Sequence, residues 1–148
     1  MENLPHAYNG ELPFIFVSYA HKNSDYVVSV IRRLMLDGYR VWYDEGITPG
    51  STWDEKIAAK LNQSACFIAF ISEAFIDSDN CKEELALARK KEKNYLLVHL
   101  DDTPMSIGMR MRYGKQQAVL KKNTSEDDLI EKIEKWACAA DTKGEKHI

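Results

Sequence analysis

Cys66-Phe67-Ile68-Ala69-Phe70-Ile71 is a run of six consecutive apolar residues. A strand with one wet face alternates apolar and polar side chains. This run has no polar face, so it reads as a strand covered on both sides, near the middle of a parallel sheet. Pro13 to Ser18 reads as a buried first strand and Tyr39 to Tyr43, rich in β-prone residues, as a second. Asn94 to Leu100 reads as a fourth strand and Gln117 to Leu120 as a short fifth. Helical patterns fill the gaps. Asn23 or Ser24 can cap a helix carrying Val27, Ile31, Leu34 and Met35 on one face, and Gly38 ends it. A second helix starts at Ser51 or Thr52, with Asp54 and Glu55 in its first turn and Trp53, Ile57 and Leu61 inward. A third runs from Ser78–Asn80 to about Lys93. A last one starts at Thr124 or Ser125 and turns Leu129, Ile133, Trp136 and Ala137 inward. The stretch from Asp101 to Lys115 reads as a long loop.

Strands alternating with helices imply a parallel sheet with helices on both faces, and right-handed crossovers leave few topologies. Five strands suit a flavodoxin-like three-layer α/β sandwich of order 2-1-3-4-5. The expected organisation is one domain over 13–140, a loose lead-in over 1–12 and a polar tail over 141–148. At 148 residues, 45% hydrophobic and 29% charged, the chain can bury a proper core. A formal net charge of −3 makes no general case for nucleic acid, and no apolar run is long enough to span a bilayer. There is no basic-then-apolar leader pattern at the start. Cys66, Cys81 and Cys138 are odd in number and widely spaced, so neither a disulfide framework nor a zinc site follows. The expected location is the cytoplasm.

In an open α/β sheet, ligands bind at the edge formed by the carboxyl ends of the strands, at the switch point between strands one and three. Three segments lead there: Ser18-Tyr19-Ala20-His21 after strand one, Asp44-Glu45 after strand two, and the helix beginning near Asn80. Tyr19, Asp44 and Glu84 should therefore converge. Glu84 borders the stripe of Cys81, Leu85 and Ala88. As a structural group it would complement the helix dipole, but Glu83 suits that purpose better, because Asn80-x-x-Glu83 has capping-box spacing. Asp44 is either a turn acid or an acceptor for ribose hydroxyls, and Tyr19 can stack on a base. His21 reads as a surface residue, and Trp53 as a core or loop anchor that can also face a ligand. Met105, Met109 and Met111 offer either core filling or an adaptable contact surface.

Several classes fail. There is no Gly-x-Gly-x-x-Gly and no phosphate loop. A phosphorelay receiver needs acids after strand one and an Asp after strand three, where this chain has Ser18-Tyr19 and Ser72-Glu73. No His/Asp cluster suggests a metal.

Together these segments resemble the TIR (Toll/interleukin receptor) domain. Phe16-Val-Ser-Tyr19 resembles its first-strand box, and Arg40-Val-Trp-Tyr-Asp44 with Gly46, Pro49 and Gly50 its second strand and BB loop. Phe67 to Ser72, followed by Ser78-x-x-Cys81-x-x-Glu84-Leu85, resembles strand three and the helix that carries the family's catalytic glutamate. The form Tyr43-Asp-Glu-Gly-Ile47 is similar to bacterial members. The resemblance runs from about Pro13 to Ala140.

Many TIR domains cleave NAD+ between nicotinamide and ribose, some making cyclic ADP-ribose isomers, and others are signalling scaffolds. The resemblance implies Glu84 as the catalytic group and NAD+ as substrate, with no further cofactor. It implies a substrate pocket drawn from Ser18, Tyr19, Ala20, His21, Asp44, Glu45, Trp53, Ser72, Asn80 and Cys81. It implies self-assembly through the BB loop, here Glu45, Gly46, Ile47, Thr48, Pro49, Gly50, Ser51 and Thr52. An antiphage role with a downstream effector that senses the nucleotide product follows from the bacterial likeness; a virulence role is the other option. One residue departs from the pattern: many catalytic members carry Trp where this chain has Asn80, which bears on whether the product is cyclic. A non-catalytic scaffold and a nucleoside deoxyribosyltransferase-like enzyme, which uses a glutamate as covalent nucleophile, are the alternatives.

Overall fold

The computed structural model describes residues 5–44, 55–113 and 118–144. Five strands form one parallel sheet: β1 (Ile15–Ser18), β2 (Val41–Trp42), β3 (Cys66–Ile71), β4 (Asn94–His99) and β5 (Ala118–Leu120). Their order is β2-β1-β3-β4-β5, the flavodoxin-like arrangement expected from the sequence. Every residue of β3 is buried, as its unbroken apolar run requires. It pairs with β1 from Ile15↔Cys66 to Ser18↔Ala69, and with β4 from Cys66↔Asn94 to Ile71↔His99. The order and the register together bring the ends of β1 and β3 to the same edge.

The helices are α1 (Ser24–Leu36), α2 (Glu55–Gln63), α3 (Glu73–Ile76), α4 (Asp79–Lys90), α5 (Ile107–Tyr113), α6 (Glu126–Lys135) and α7 (Ala137–Ala140). α1 packs beside α6, and α2 beside α4. Val27, Ile31 and Leu34 of the stripe that the sequence marks are fully buried, Met35 is partly buried against the core, and Val30 is fully buried as well. Gly38 ends α1 at φ +99, and a Cβ there would meet the Gly144 carbonyl at 3.0 Å. The start of the second helix, and Asp54 and Trp53 within it, fall outside the described residues; Ile57 and Leu61 are buried as expected.

Several elements differ from the sequence reading. The span after β3 holds a short extra helix, α3, capped by the Ser72 hydroxyl, which accepts from the Phe75 N–H at 3.1 Å. α4 is capped by Ser78, whose hydroxyl accepts from the Cys81 N–H at 3.2 Å, so Asn80 lies inside the helix and the expected Asn80–Glu83 capping box does not form. The stretch read as a loop from Asp101 contains α5. Trp136 is extended (φ −76, ψ 119) and breaks the last helix in two, while its half-buried side chain packs against the core as expected. Of the methionines, Met105 and Met109 pack against the core while Met111 is exposed.

β2 has only two ladder residues, and chain ends support it from outside the sheet. The Tyr8 N–H donates to the Val41 carbonyl at 2.8 Å, and Ala7 is buried. The Arg40 N–H donates to the Thr142 carbonyl at 2.8 Å, Tyr39 and Lys143 form an antiparallel bridge, and Thr142 is fully buried. Residues 7 and 8 of the expected lead-in and 142 to 144 of the expected tail are thus part of the packing. The Arg40 guanidinium joins both sides, donating to the Pro13 carbonyl and to the Asp141 carbonyl, each at 2.7 Å. Replacing Arg40 with Ala removes two charge-assisted hydrogen bonds at an exposed site. Urea unfolding of Arg40→Ala is expected to show a loss of about 2 kcal/mol with an unchanged m-value.

Candidate functional site

Phe16 and Ser18 share one face of β1, because side chains alternate along a strand. Trp42 pairs with Phe16 across the ladder, their rings 4.9 Å apart, and Asp44 follows two residues on. Beyond β1, Tyr19 is half-buried, its ring 5.9 Å from His21 and 6.4 Å from Tyr43. Tyr43 is itself buried and donates its hydroxyl hydrogen bond to the Pro5 carbonyl.

Glu84 enters from α4. Cys81, Glu84, Leu85 and Ala88 stand at i, i+3, i+4 and i+7, and all four are buried. The carboxylate therefore lies on the inward stripe and not at its border, only 6% exposed. The Ser18 hydroxyl, 1% exposed, donates to Glu84 Oε1 at 2.7 Å. Among the described residues, Phe16, Val17, Tyr19, His21, Trp42, Asp44 and Glu84 line one crevice. It is narrow, about 10 Å3, the room that one water needs.

Burial pushes the Glu84 carboxyl up to about 7, the negative charge of Asp44 acts in the same direction, and the Ser18 hydrogen bond partly opposes both. Cys81, one turn earlier, donates its N–H to the Ser78 hydroxyl at 3.2 Å; burial pushes its thiol up to about 11, the nearby Glu84 charge adds to this, and Ser78 and Ser18 partly oppose it. A buried thiol of this kind is unreactive.

The other expected site residues fall in different places. Ala20 is buried beside the crevice residues Tyr19 and His21. Ser72 is buried but turned to structural work: its hydroxyl donates to Asn23 Oδ1 at 2.7 Å and caps α3. Asn23 thus supports that turn and gives no side-chain cap to α1. Asn80 is half-buried in the first turn of α4 and is not among the crevice-lining residues. Glu45, Trp53 and the whole expected assembly loop, Glu45 to Thr52, lie outside the described residues. Phe16, Val17 and Trp42 line the crevice although the sequence reading did not single them out. The period of two that puts Phe16 with Ser18, and Trp42 with Asp44, was the available signal. Among the described residues no group of His, Cys, Asp and Glu is arranged to hold a metal.

A sequence model of the TIR domain matches residues 15–135. The chain belongs to the TIR-domain family. The crystal structure of the TIR domain of the Toll-related receptor TRR-2 from Hydra magnipapillata superposes with a TM-score of 0.62 at 15% identity. The match covers 82% of this TIR chain and 95% of that one, and at this identity it speaks for the fold. A search of curated protein sequences returns no match. No helix among the described residues of this TIR domain is long and apolar enough to cross a membrane.

The shifted carboxyl has a consequence for stability. An unfolded Glu titrates near 4.5 and Glu84 in the fold near 7, so between these values the folded state holds the extra proton. Its stability is full below about pH 4.5, falls as pH rises to about 7, and is flat above; at about 1.4 kcal/mol per unit the loss is roughly 3 kcal/mol. Glu84→Gln keeps an acceptor for Ser18 and has no charge to bury. Thermal melts should show this variant more stable than wild type near pH 8, with the gain vanishing as pH drops below about 4.5.

Proposed function

We propose that this TIR domain cleaves the bond between nicotinamide and ribose in NAD+, with Glu84 as the catalytic carboxylate. The observation that carries the reading is Glu84 itself: a glutamate buried at the carboxyl edge of the sheet, hydrogen-bonded to Ser18 and held near neutral pH. Such a group lowers the stability of the fold at neutral pH, and groups of this kind concentrate at functional sites. Ordinary glycoside cleavage uses two carboxylates, one of them an acid for the leaving group. Nicotinamide leaves a pyridinium as a neutral molecule and needs no acid. One carboxylate near the developing oxocarbenium ion, with an acceptor for the ribose hydroxyls, suffices. Glu84 supplies the first, and Asp44, on the same crevice, is suited to the second. Water attack gives ADP-ribose and internal attack gives a cyclic isomer; Asn80, where many catalytic relatives have Trp, argues for the linear product. The sequence form Tyr43 to Ile47 supports a bacterial, antiphage setting for the activity.

The second reading is a TIR scaffold that works through protein contacts without chemistry. Two observations favour it: the crevice has room for about one water, and the solved structure it resembles is a receptor's domain. NAD+ cleavage then requires the crevice to open, and assembly through TIR–TIR contacts is the step that would do so. Specific activity rising with protein concentration supports enzyme and assembly together; no nicotinamide release at any concentration supports the scaffold.

On the enzymatic reading, nicotinamide release is lost in Glu84→Ala and in Glu84→Gln. Equal rates in wild type and either variant would remove the assignment. Because the carboxylate must be ionised, kcat/KM should rise with pH through about 7. A bound pyridinium favours the carboxylate, so the matching rise in kcat should lie at lower pH. Ser18→Ala removes the hydrogen bond that stabilises the ionised form, and its kcat/KM limb should move to higher pH than that of wild type.

A further inference from the structure

A cleft of about 750 Å3 opens where β4 begins, at the amino edge of the sheet and so opposite the Glu84 crevice. That volume is typical of small-molecule sites. Cations reach it from separate elements: Arg89 and Lys90 from the last turn of α4, Lys93 from beyond it, and Arg112 from the last turn of α5. Arg89, Lys90 and Arg112 are exposed, and none of the four cations makes an ion pair with another described residue. Glu92 adds a single carboxylate to the lining. In a chain of net charge −3 this is a local excess of positive charge. Basic residues suit the negative end of a helix, which accounts for each helix by itself. It does not account for two helices delivering cations to one cleft.

The turn after α4 also occupies the acceptors that would repel an anion. The Lys91, Glu92 and Lys93 N–H groups donate to the Leu87, Arg89 and Ala88 carbonyls at 2.9, 3.0 and 3.0 Å. This closure holds Glu92 at φ 56, in the left-handed region where glycine is the usual residue. Lys93 Nζ donates to the Asn62 and Ser64 carbonyls, each at 2.7 Å, so its charge is fixed in place. Burial, and then the Lys91 charge, lower its pKa from the ordinary lysine value, and a bound anion would relieve both. The indole of Trp136 packs against the core and lines the same cleft. An aromatic face beside guanidinium groups suits a flat ring that carries phosphates. An acidic peptide would answer the charge but gives no reason for the indole. We propose that this cleft is a second ligand site, which takes a nucleoside di- or triphosphate: Arg89, Lys90 and Arg112 hold the phosphates, and Trp136 faces the base. The site stands apart from the Glu84 crevice and does not rest on NAD+ cleavage.

The test titrates the full chain with ATP, ADP and inorganic tripolyphosphate by calorimetry. ATP should bind more tightly than either of the others, with an affinity that falls as salt is added. Arg89→Ala and Arg112→Ala should each weaken ATP by about tenfold, and Arg112→Glu by more. Both side chains are exposed, so these variants should melt as wild type does. Trp136→Leu should weaken ATP and leave tripolyphosphate unchanged; if that variant does not fold, the comparison of ATP with tripolyphosphate on wild type decides the same point. Glu84→Gln, at the other edge, should bind ATP as wild type does. Loss of ATP binding in Glu84→Gln would place the nucleotide in the crevice and overturn the proposal. Absence of ATP binding, equal affinity for ATP and tripolyphosphate, or tighter binding of a glutamate-rich peptide or a single-stranded oligonucleotide would overturn it as well.

Discussion

The hydrogen bond from Ser18 to Glu84 ties together the strand and the helix that line the crevice. It joins the last residue of β1 to the second turn of α4, two elements 66 positions apart in sequence, inside a region that water barely reaches. A neutral serine compensates a buried carboxylate only in part, and no cation among the described groups is a cause of its shift. The carboxyl is therefore balanced between its two protonation states at neutral pH. It is a poor structural element and a responsive one: any cation brought into the crevice would favour the charged form and drive the proton off. A pyridinium is such a cation, and this makes proton release on binding a signature that a neutral ligand would not share.

The balance depends on the geometry of the sheet. β1 and β3 are in register from Ile15↔Cys66, so Ser18 stands at the edge while β3 continues to Ile71. That offset leaves a notch above β1, flanked on the other side by the still shorter β2. Trp42 and Phe16 floor it with aromatic rings, and Asp44 borders it. An acid at this border raises the cost of ionising Glu84 in the empty site and lowers the cost of admitting a cation, two effects of the same negative charge.

Most of the sheet was legible because local and global signals agree there. The unbroken apolar run of β3 and the 3.6-residue stripe of α1 each admit one placement. The convergence of Tyr19, Asp44 and Glu84 followed from topology. The burial of Glu84 did not: its spacing to Cys81, Leu85 and Ala88 put it near the inner stripe, and only packing moved it inside. What escaped the sequence reading depends on partners remote in the chain. Ser78 takes the capping role assigned to Asn80 because α3 turns the backbone just before it. Thr142 looks like a tail residue until the Arg40 N–H is placed beside it.

The two edges of the sheet are also linked through β2. A two-residue edge strand cannot hold itself, and an unpaired edge is a liability. Here Tyr8 bonds to Val41 on one side, and the backbone of residues 38 to 40 pairs with residues 142 to 144 before the strand begins. Arg40 joins the turn before β1 to the end of α7, so the position of β2 relative to β1 is set from below. Trp42 and Asp44 inherit that position, and with it their distance from Glu84. The C-terminal segment, far from the crevice, is thus part of what fixes the charge beside the carboxyl group. Loosening it would move Asp44 before it exposed the core, because β2 has the fewest ladder bonds of any strand to resist the change.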